Sequence, residues 1–268
     1  MRTIVHLSDL HFGRTDPAIL APLIKFIGEL KPDLVAVSGD LTQRARTAEF
    51  LAANEFLASI PFPQIVVPGN HDVPLHNVFA RFVRRLDRYR RYITPELQPV
   101  FADAEIVVVG VNTARALTWK DGRINRGQLK KLQATMKTTP ASRTKIVVTH
   151  HPFDLPAGAA GRVVGRSRLA MKALADCGVD LFLAGHFHIA DTSQTAKRYE
   201  MPGYSAIIVS SGTSTSTRGR GQPNSFNVIR IDRRQLAIER RTWRRSSGSF
   251  DVLSVENFCH AETGWVRE

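Results

Sequence analysis

Five short blocks of the chain carry residues that bind metal ions: Asp9-Leu10-His11, Gly39-Asp40, Gly69-Asn70-His71-Asp72, His150-His151-Pro152 and Gly185-His186-Phe187-His188. From them Asp9, His11, Asp40, Asn70, His150, His186 and His188 supply two carboxylates, one amide oxygen and four imidazoles. That mixture suits Mn²⁺, Fe²⁺ or Zn²⁺ better than Ca²⁺ or a thiolate-preferring ion. The donors are too many for one tetrahedral ion and fit two ions that share a bridging carboxylate. Two cations about 3.5–4 Å apart lower the pKa of a shared water toward about 7. Such a pair would supply an activated water and Lewis acidity to a hydrolytic reaction.

The elements that position these residues are legible as alternating strands and helices. Thr3–Ser8, Asp33–Ser38, Gln64–Val67, Lys145–Thr149 and Asp180–Ala184 are short, β-branched and apolar, and each runs directly into one of the blocks. In open α/β sheets that strand edge is where ligands bind. Asp9 and His11 are two apart, as are His186 and His188, a spacing that in a strand turns both side chains to one side. Gly39, Gly69 and Gly185 precede ligands and permit tight turns. Helices are predicted over Ala18–Leu30, Thr47–Leu57, Arg126–Met136 and Arg166–Cys177. The first units, of about 30 residues, have the size of βαβ crossovers, which pack as a mostly parallel sheet between helices. Glu105–Val111, Ala206–Ser211, Phe226–Ile231 and Gln235–Arg241 read as further strands, the last two as a hairpin.

At the five blocks, in order, the sequence resembles the calcineurin-like metallophosphoesterases, whose pattern is D-x-H, G-D, G-N-H-D, H-x-P and G-H-x-H. The resemblance spans roughly residues 3 to 190 and implies an α/β fold, a two-sheet β-sandwich flanked by helices. It also implies two divalent ions per chain (Mn, Fe or Zn). Asp9, His11, Asp40 and His188 would hold one and Asp40, Asn70, His150 and His186 the other, with Asp40 bridging. His71 resembles the family's phosphate-binding, proton-donating histidine, and Asp72 would hold its imidazole by a hydrogen bond. Asn70 and His71 would contact substrate. His151 falls at the variable position of its block and stays outside the metal set. Within the superfamily the chain looks most like the bacterial cyclic-nucleotide and glycerophosphodiester branch, so a small soluble phosphodiester is the expected substrate. A lipid reading stands as the alternative: a phospholipase C-like or lipid-A-pathway phosphoesterase working at an anionic membrane surface.

The remaining residues bound these readings. The chain has 268 residues, 43% of them hydrophobic, and a net charge of +13. Residues 1–268 are read as one domain, with the metal blocks at 9–188, C-terminal strands at 205–243 and a short tail at 255–268. No apolar run approaches the roughly 18 residues of a membrane span, and no signal-peptide pattern is present, so a cytoplasmic location is expected, with contact at the inner membrane as an extension. Cys177 and Cys259 suit a reducing compartment and are expected to be unpaired. The positive charge favours phosphate-bearing partners without choosing among them. A nuclease or nucleic-acid scaffold is disfavoured because no basic patch is interleaved with aromatics that stack bases. A non-catalytic scaffold is disfavoured because no ligand is missing.

Two regions concentrate arginine. Phe79, Phe82, Val83, Leu86 and Tyr89 mark one face of an expected helix from Phe79 to Tyr92, with Arg81, Arg84, Arg85, Arg88 and Arg91 beside or opposite it. Such a helix fits a docked element with a solvated face, or a rim that attracts anions. Arg218 to Arg245 carries nine arginines, and bidentate phosphate contacts suit that side chain. Arg14 is a candidate substrate-phosphate contact, and Asn112 and Thr113 are candidate cleft residues. Gly212–Arg218 is expected to fold toward the site. His6 is read as a packed strand residue, His76 as a surface helix residue and His260 as part of a solvated tail.

Overall fold

The computed structural model describes residues 1–75, 78–116, 120–218 and 221–268, with the side chains of 78–80 also outside the description. In chain order the elements are β1 (Arg2–Leu7), α1 (Pro17–Leu30), β2 (Leu34–Val37), α2 (Thr47–Ala58), β3 (Gln64–Val66), α3 (Val78–Val83), α4 (Asp87–Tyr92), β4 (Val100–Ala102) and β5 (Ile106–Val111). They continue with α5 (Arg126–Thr138), β6 (Thr144–Thr149), α6 (Ser167–Ala175), β7 (Leu181–Ala184), β8 (Asp191–Gln194), β9 (Ile207–Ser210), β10 (Ser225–Asp232), β11 (Gln235–Arg244), β12 (Ser249–Ala261) and β13 (Gly264–Arg267).

Two mixed sheets result, one ordered β13-β12-β11-β10-β1-β2-β3 and the other β4-β5-β6-β7-β9-β8. Alternation along the strands explains how they stack. Ile4, Ala36, Val108, Val148, Leu183, Val209 and Ile229 meet between the sheets. Their neighbours Val5, Val35 and Val37 point outward onto Ile19, Leu23, Ile27 and Phe50 of α1 and α2. Val107, Val147, Phe182 and Ile208 point outward onto Leu129, Leu132, Met136, Met171 and Leu174 of α5 and α6. With both faces covered, the strands become continuous apolar runs, as parallel strands under helices do. The architecture is the expected α/β sandwich of two sheets flanked by helices.

Parallel register brings the strand ends to one edge. Leu7 pairs with Val37 and Val37 with Val66 in the first sheet, and Val148 pairs with Leu183 in the second. The chain therefore leaves β1, β2, β3, β6 and β7 at a common rim.

Several local expectations need correction. The helix expected from Phe79 to Tyr92 is two short helices, α3 and α4, interrupted at 84–86. The interruption splits the face. Leu86 and Tyr89 are buried, but Phe82 and Val83 are 53% and 64% exposed, and Arg81 is buried instead. The side chain of Phe79 and the residue His76 lie outside the description. The tail expected at 255–268 is most of β12 plus β13, which pair antiparallel and extend the first sheet. His260 is accordingly half-buried, its ring 5.3 Å from that of Trp265 and its Nδ1 accepting from Arg234. Cys177 and Cys259 are free thiols.

Candidate metal centre

The two-residue spacing of the ligand pairs does not work through strand geometry, because each pair lies just past its strand in backbone that a strand cannot adopt. Asp9 (φ 52°), His11 (φ 49°), Asp40 (φ 53°), His186 (φ 77°) and His188 (φ 59°) all occupy the left-handed region. For a non-glycine residue that costs about 1–2 kcal/mol each. Such strain persists only where the surroundings over-determine it. Here they do. The amide of Asp9 donates to Gly39 O (3.1 Å) and that of His11 to Asp40 O (2.9 Å), stitching the β1 and β2 loops together. The loop carbonyls turned away by this backbone are met by hydroxyls from the Gly212–Arg218 stretch. Thr213 Oγ1 donates to Asp9 O (2.7 Å) and Thr215 Oγ1 to Leu10 O (2.8 Å).

Gly69 packs against the same turn. A Cβ there would lie 2.1 Å from Asp40 Oδ1, so the glycine is required by close approach. The Asp72 carboxylate secures this junction by accepting from the amides of Leu41, Thr42 and Gly69 and from Thr42 Oγ1. Burial and the neighbouring Asp40 charge push the Asp72 carboxyl up to about 6, against those donors. Asp72 does not hold the His71 imidazole as the resemblance implied. That ring's Nδ1 donates to the carbonyl of Gln43 (2.9 Å).

All seven expected ligands converge. Asp9 Oδ1 lies 3.3 Å from His188 Nε2 and 3.6 Å from His11 Nε2. Asp40 Oδ2 lies 3.8 Å from His11 Nε2 and 3.3 Å from His150 Nε2. His150 Nε2 is 3.2 Å from Asn70 Oδ1 and 3.3 Å from His186 Nδ1, and His11 Nε2 is 3.3 Å from His188 Nε2. Asp9, His11 and His188 thus form one donor group, while Asp9, Asp40 and His150 form another. The remaining polar atoms of these side chains are held by the protein. Asp9 Oδ2 accepts from Ser8 Oγ and His186 N, Asp40 Oδ1 accepts from His71 N, and His150 Nδ1 donates to Ser38 O (2.8 Å). Such outer partners orient ligands and fix the imidazole tautomer.

The donor set fits divalent cations. Imidazole nitrogens that face one another across buried carboxylates cannot all be satisfied by protons. Asp9 Oδ1 is buried without a hydrogen-bond partner, although it faces two imidazoles. The charges agree. Burial would raise the Asp9 and Asp40 carboxyls, yet the surrounding histidines hold both below the usual carboxylate range. Burial lowers His150, but Asp40 overrides it and raises that imidazole to about 9.

Both ring nitrogens of His151 have partners of their own. Its Nδ1 pairs with Thr113 Oγ1 (2.7 Å) and its Nε2 donates to Lys120 O (2.8 Å). Its ring lies close to His150 and His186, but both nitrogens are engaged. Thr113 and Asn112 are buried behind it rather than lining the opening. Arg14 is exposed, and its side chain makes no hydrogen bond or ion pair among the described residues. The arginine that reaches the centre is Arg218, whose Nη1 donates to His71 Nε2 (3.0 Å) and approaches Gln43 Oε1 (3.4 Å). Its signal was its place at the end of the Ser/Thr stretch expected to fold inward. Most other arginines of the 218–245 region are internal partners. Arg230 and Arg241 pair with Glu239, Arg240 with Glu256, Arg244 with Asp251 and Arg245 with Asp16.

Residues 2–190 match the family model of calcineurin-like phosphoesterases, and the chain belongs to that family. It is 28% identical over 200 residues to a putative metallophosphoesterase of Caenorhabditis elegans, covering 69% of this chain and 36% of that protein. It is 30% identical over 80 residues to the glycerophosphodiester phosphodiesterase GpdQ of Enterobacter lignolyticus, covering 26% of this chain and 29% of that one. With the 3',5'-cyclic adenosine monophosphate phosphodiesterase CpdA of Escherichia coli it shares 28% identity over 127 residues, 47% of this chain and 42% of the enzyme. The chain thus spans well under two thirds of these relatives. Among solved structures, a purple acid phosphatase from yellow lupin superposes with a TM-score of 0.69 at 14% identity over 94% of this chain and 52% of that one. GAP50 of Plasmodium superposes with a TM-score of 0.60 at 14% identity over 95% of this chain and 87% of that one.

Proposed function

We propose that the protein is a binuclear metal-dependent phosphodiesterase whose substrate is a small soluble diester, a cyclic nucleotide or a glycerophosphodiester. The observation that carries this reading is Asp40, whose carboxylate faces His11 on one side and His150 on the other. Asp9, His11, Asp40 and His188 would hold one ion, and Asp40, Asn70, His150 and His186 the other. Mn, Fe and Zn all suit the donors. When bound, such ions supply Lewis acidity toward phosphoryl oxygens and an activated water for in-line attack.

The chain's own residues do the rest. Arg218, with the neutral His71 imidazole beside it, gives the centre a positively charged edge where a phosphoryl group would be bound and oriented. The Arg218 guanidinium, always charged, offers a planar fork for two phosphate oxygens. His71 Nε2, once Arg218 turns to substrate, is free to take up a proton from solvent and pass it to the leaving alkoxide. The Gln43 carbonyl keeps the ring aimed by holding Nδ1–H. Residues 1–268 are read as one unit, because strands from both halves share the core between the sheets.

The lipid reading keeps one specific support. Phe82 and Val83 are exposed beside Arg84 and Arg85, the pairing of apolar and basic groups that settles on anionic bilayers. No helix among the described residues is long and apolar enough to cross a membrane. The deciding experiment is a substrate panel on Mn²⁺-reconstituted protein: cyclic nucleotides, glycerophosphodiesters, phospholipid vesicles and single-stranded DNA. Turnover of the first two classes is expected. Headgroup release from vesicles, abolished at high salt, would replace the soluble substrate with a lipid. Turnover of DNA alone would overturn both.

A further inference from the structure

A second set of charges gathers behind His151. The segments 112–116, 122–125 and 165–166 run side by side: Arg123 N donates to Thr113 O (2.9 Å), Gly165 N to Gly122 O (2.7 Å) and Ile124 N to Gly165 O (3.3 Å). Arg115, Arg123 and Arg166 come off these three segments. Arg81 donates to Ala116 O (2.8 Å) and Pro74 O (3.2 Å), docking α3 against the first segment, and Arg85 follows in the turn after α3.

The hydrogen-bond partners of this cluster are neutral. Arg115, half-buried, donates to the carbonyls of Asn112 (3.3 Å) and Ala114 (2.8 Å) and to Gln128 Oε1. Arg166 Nη1 reaches Ile124 O (3.4 Å). Ion pairs absorb most arginines of the C-terminal strands, but none forms to Arg85, Arg115, Arg123 or Arg166 among the described residues. Like charges held together without a counter-charge repel, more so where one is withdrawn from water. Burial, followed by repulsion from Arg85, Arg123 and Arg166, brings the Arg115 guanidinium down to about 10. The backbone adds a further cost, since Arg166 sits at φ 67°, in the left-handed region, at the start of α6. A surface element under no functional demand would shed these costs by placing glycine at 166 and a carboxylate near 115.

The cluster is tied to the metal centre through one side chain. His151 is bonded to Thr113 and to Lys120, and its ring centroid is 4.6 Å from that of His186. The arginine-bearing segments therefore lie one histidine ring beyond a proposed metal ligand.

We propose that Arg115, Arg123 and Arg166 form a second anion site for a phosphate-type group, separate from the metal centre. Guanidinium forks match the oxygens of such a group. Two sources share this chemistry: a distal phosphate on the substrate, or an independent phosphorylated ligand. The site itself stands apart from the phosphodiesterase reading, while its use for a substrate's distal phosphate rests on that reading.

The test has two arms. In the first, inorganic pyrophosphate is titrated calorimetrically into the full chain in EDTA, which keeps metal ions from holding the probe, at physiological ionic strength. Saturable binding is expected. Arg115→Gln and Arg166→Gln should each weaken it roughly tenfold, while Lys130→Gln, on the exposed face of α5, should not. Arg166→Gln keeps the test valid if Arg115→Gln fails to fold. No saturable binding, or equal weakening by all three substitutions, would overturn the proposal. The second arm compares KM of the Mn²⁺-loaded protein for a dinucleotide with and without a terminal 5'-phosphate. A lower KM for the phosphorylated form, lost in Arg166→Gln, identifies the substrate's own phosphate. Equal KM values with pyrophosphate binding intact support an independent ligand. Hydrolysis of neither dinucleotide, with binding intact, would count against these diesters as substrates and leave the anion site standing.

Discussion

Asp40 presents one oxygen, Oδ2, to both His11 and His150, while its Oδ1 is held by the amide of His71. Asp40→Ala should therefore lose ions from both positions, read by metal analysis after gel filtration, and lose at least about a hundredfold in turnover, the upper range for loss of a mere supporting partner. Retention of both ions would remove the bridge from the account. His71→Ala should keep its metals and lose about 10²–10⁴ in rate, with the larger loss on alkyl leaving groups and the smaller on p-nitrophenyl diesters. Equal losses across leaving groups would leave His71 only a phosphate-binding role. At this scale the sequence showed which side chains gather at the centre and less of what supports them. Asp, Asn and His at five strand ends leave few alternatives. The partner of His71 was hidden because it is a backbone carbonyl, which has no residue signature. Arg218 was hidden because its approach depends on how a loop far along the chain folds back.

The elements act through the turns they impose. The β1 and β2 loops hold Asp9, His11 and Asp40 in left-handed backbone, and the hydroxyls of Thr213 and Thr215 satisfy the β1-loop carbonyls. Thr213→Val keeps the shape and removes one donor from a buried carbonyl, so unfolding free energy should fall by about 1–3 kcal/mol. Mn²⁺ affinity should fall with it, and calorimetry on the folded variant measures both. Unchanged affinity would show that the loop holds its conformation without the Ser/Thr stretch. The main strands were legible because burial on both faces makes them uninterrupted apolar runs. β4 and β8 were not, since Val100–Ala102 and Asp191–Gln194 are short edge strands defined by pairing rather than by pattern. β12 was missed for a related reason: its exposed Val252, Leu253 and Val255 and its bulge near Arg240 and Arg241 break the alternation. The broken α3–α4 segment shows the reverse error, in which helical spacing continued across a turn.

For the molecule as a whole, the buried histidines outside the donor set make acid sensitivity predictable. His6 is fully buried between Ser38 and Asn227, and burial depresses it to about 3. The folded state then binds this proton less readily than the unfolded chain, whose histidine titrates near 6.5. Its contribution is complete above about pH 6.5 and is lost as pH falls toward 3, at up to roughly 1.4 kcal/mol per pH unit. His6→Gln should flatten that part of the stability profile in urea unfolding at pH 7 and pH 5. An unchanged slope would mean that His6 is protonated in the folded state.

The central claim is that the donor groups around Asp40 make one binuclear catalytic centre. It is tested most directly by titrating the chelator-stripped chain with Mn²⁺ while following hydrolysis of bis(p-nitrophenyl) phosphate. The account predicts no turnover without metal and a plateau near two bound ions per chain. Full turnover of the stripped chain, or a plateau at a single bound ion, would contradict it.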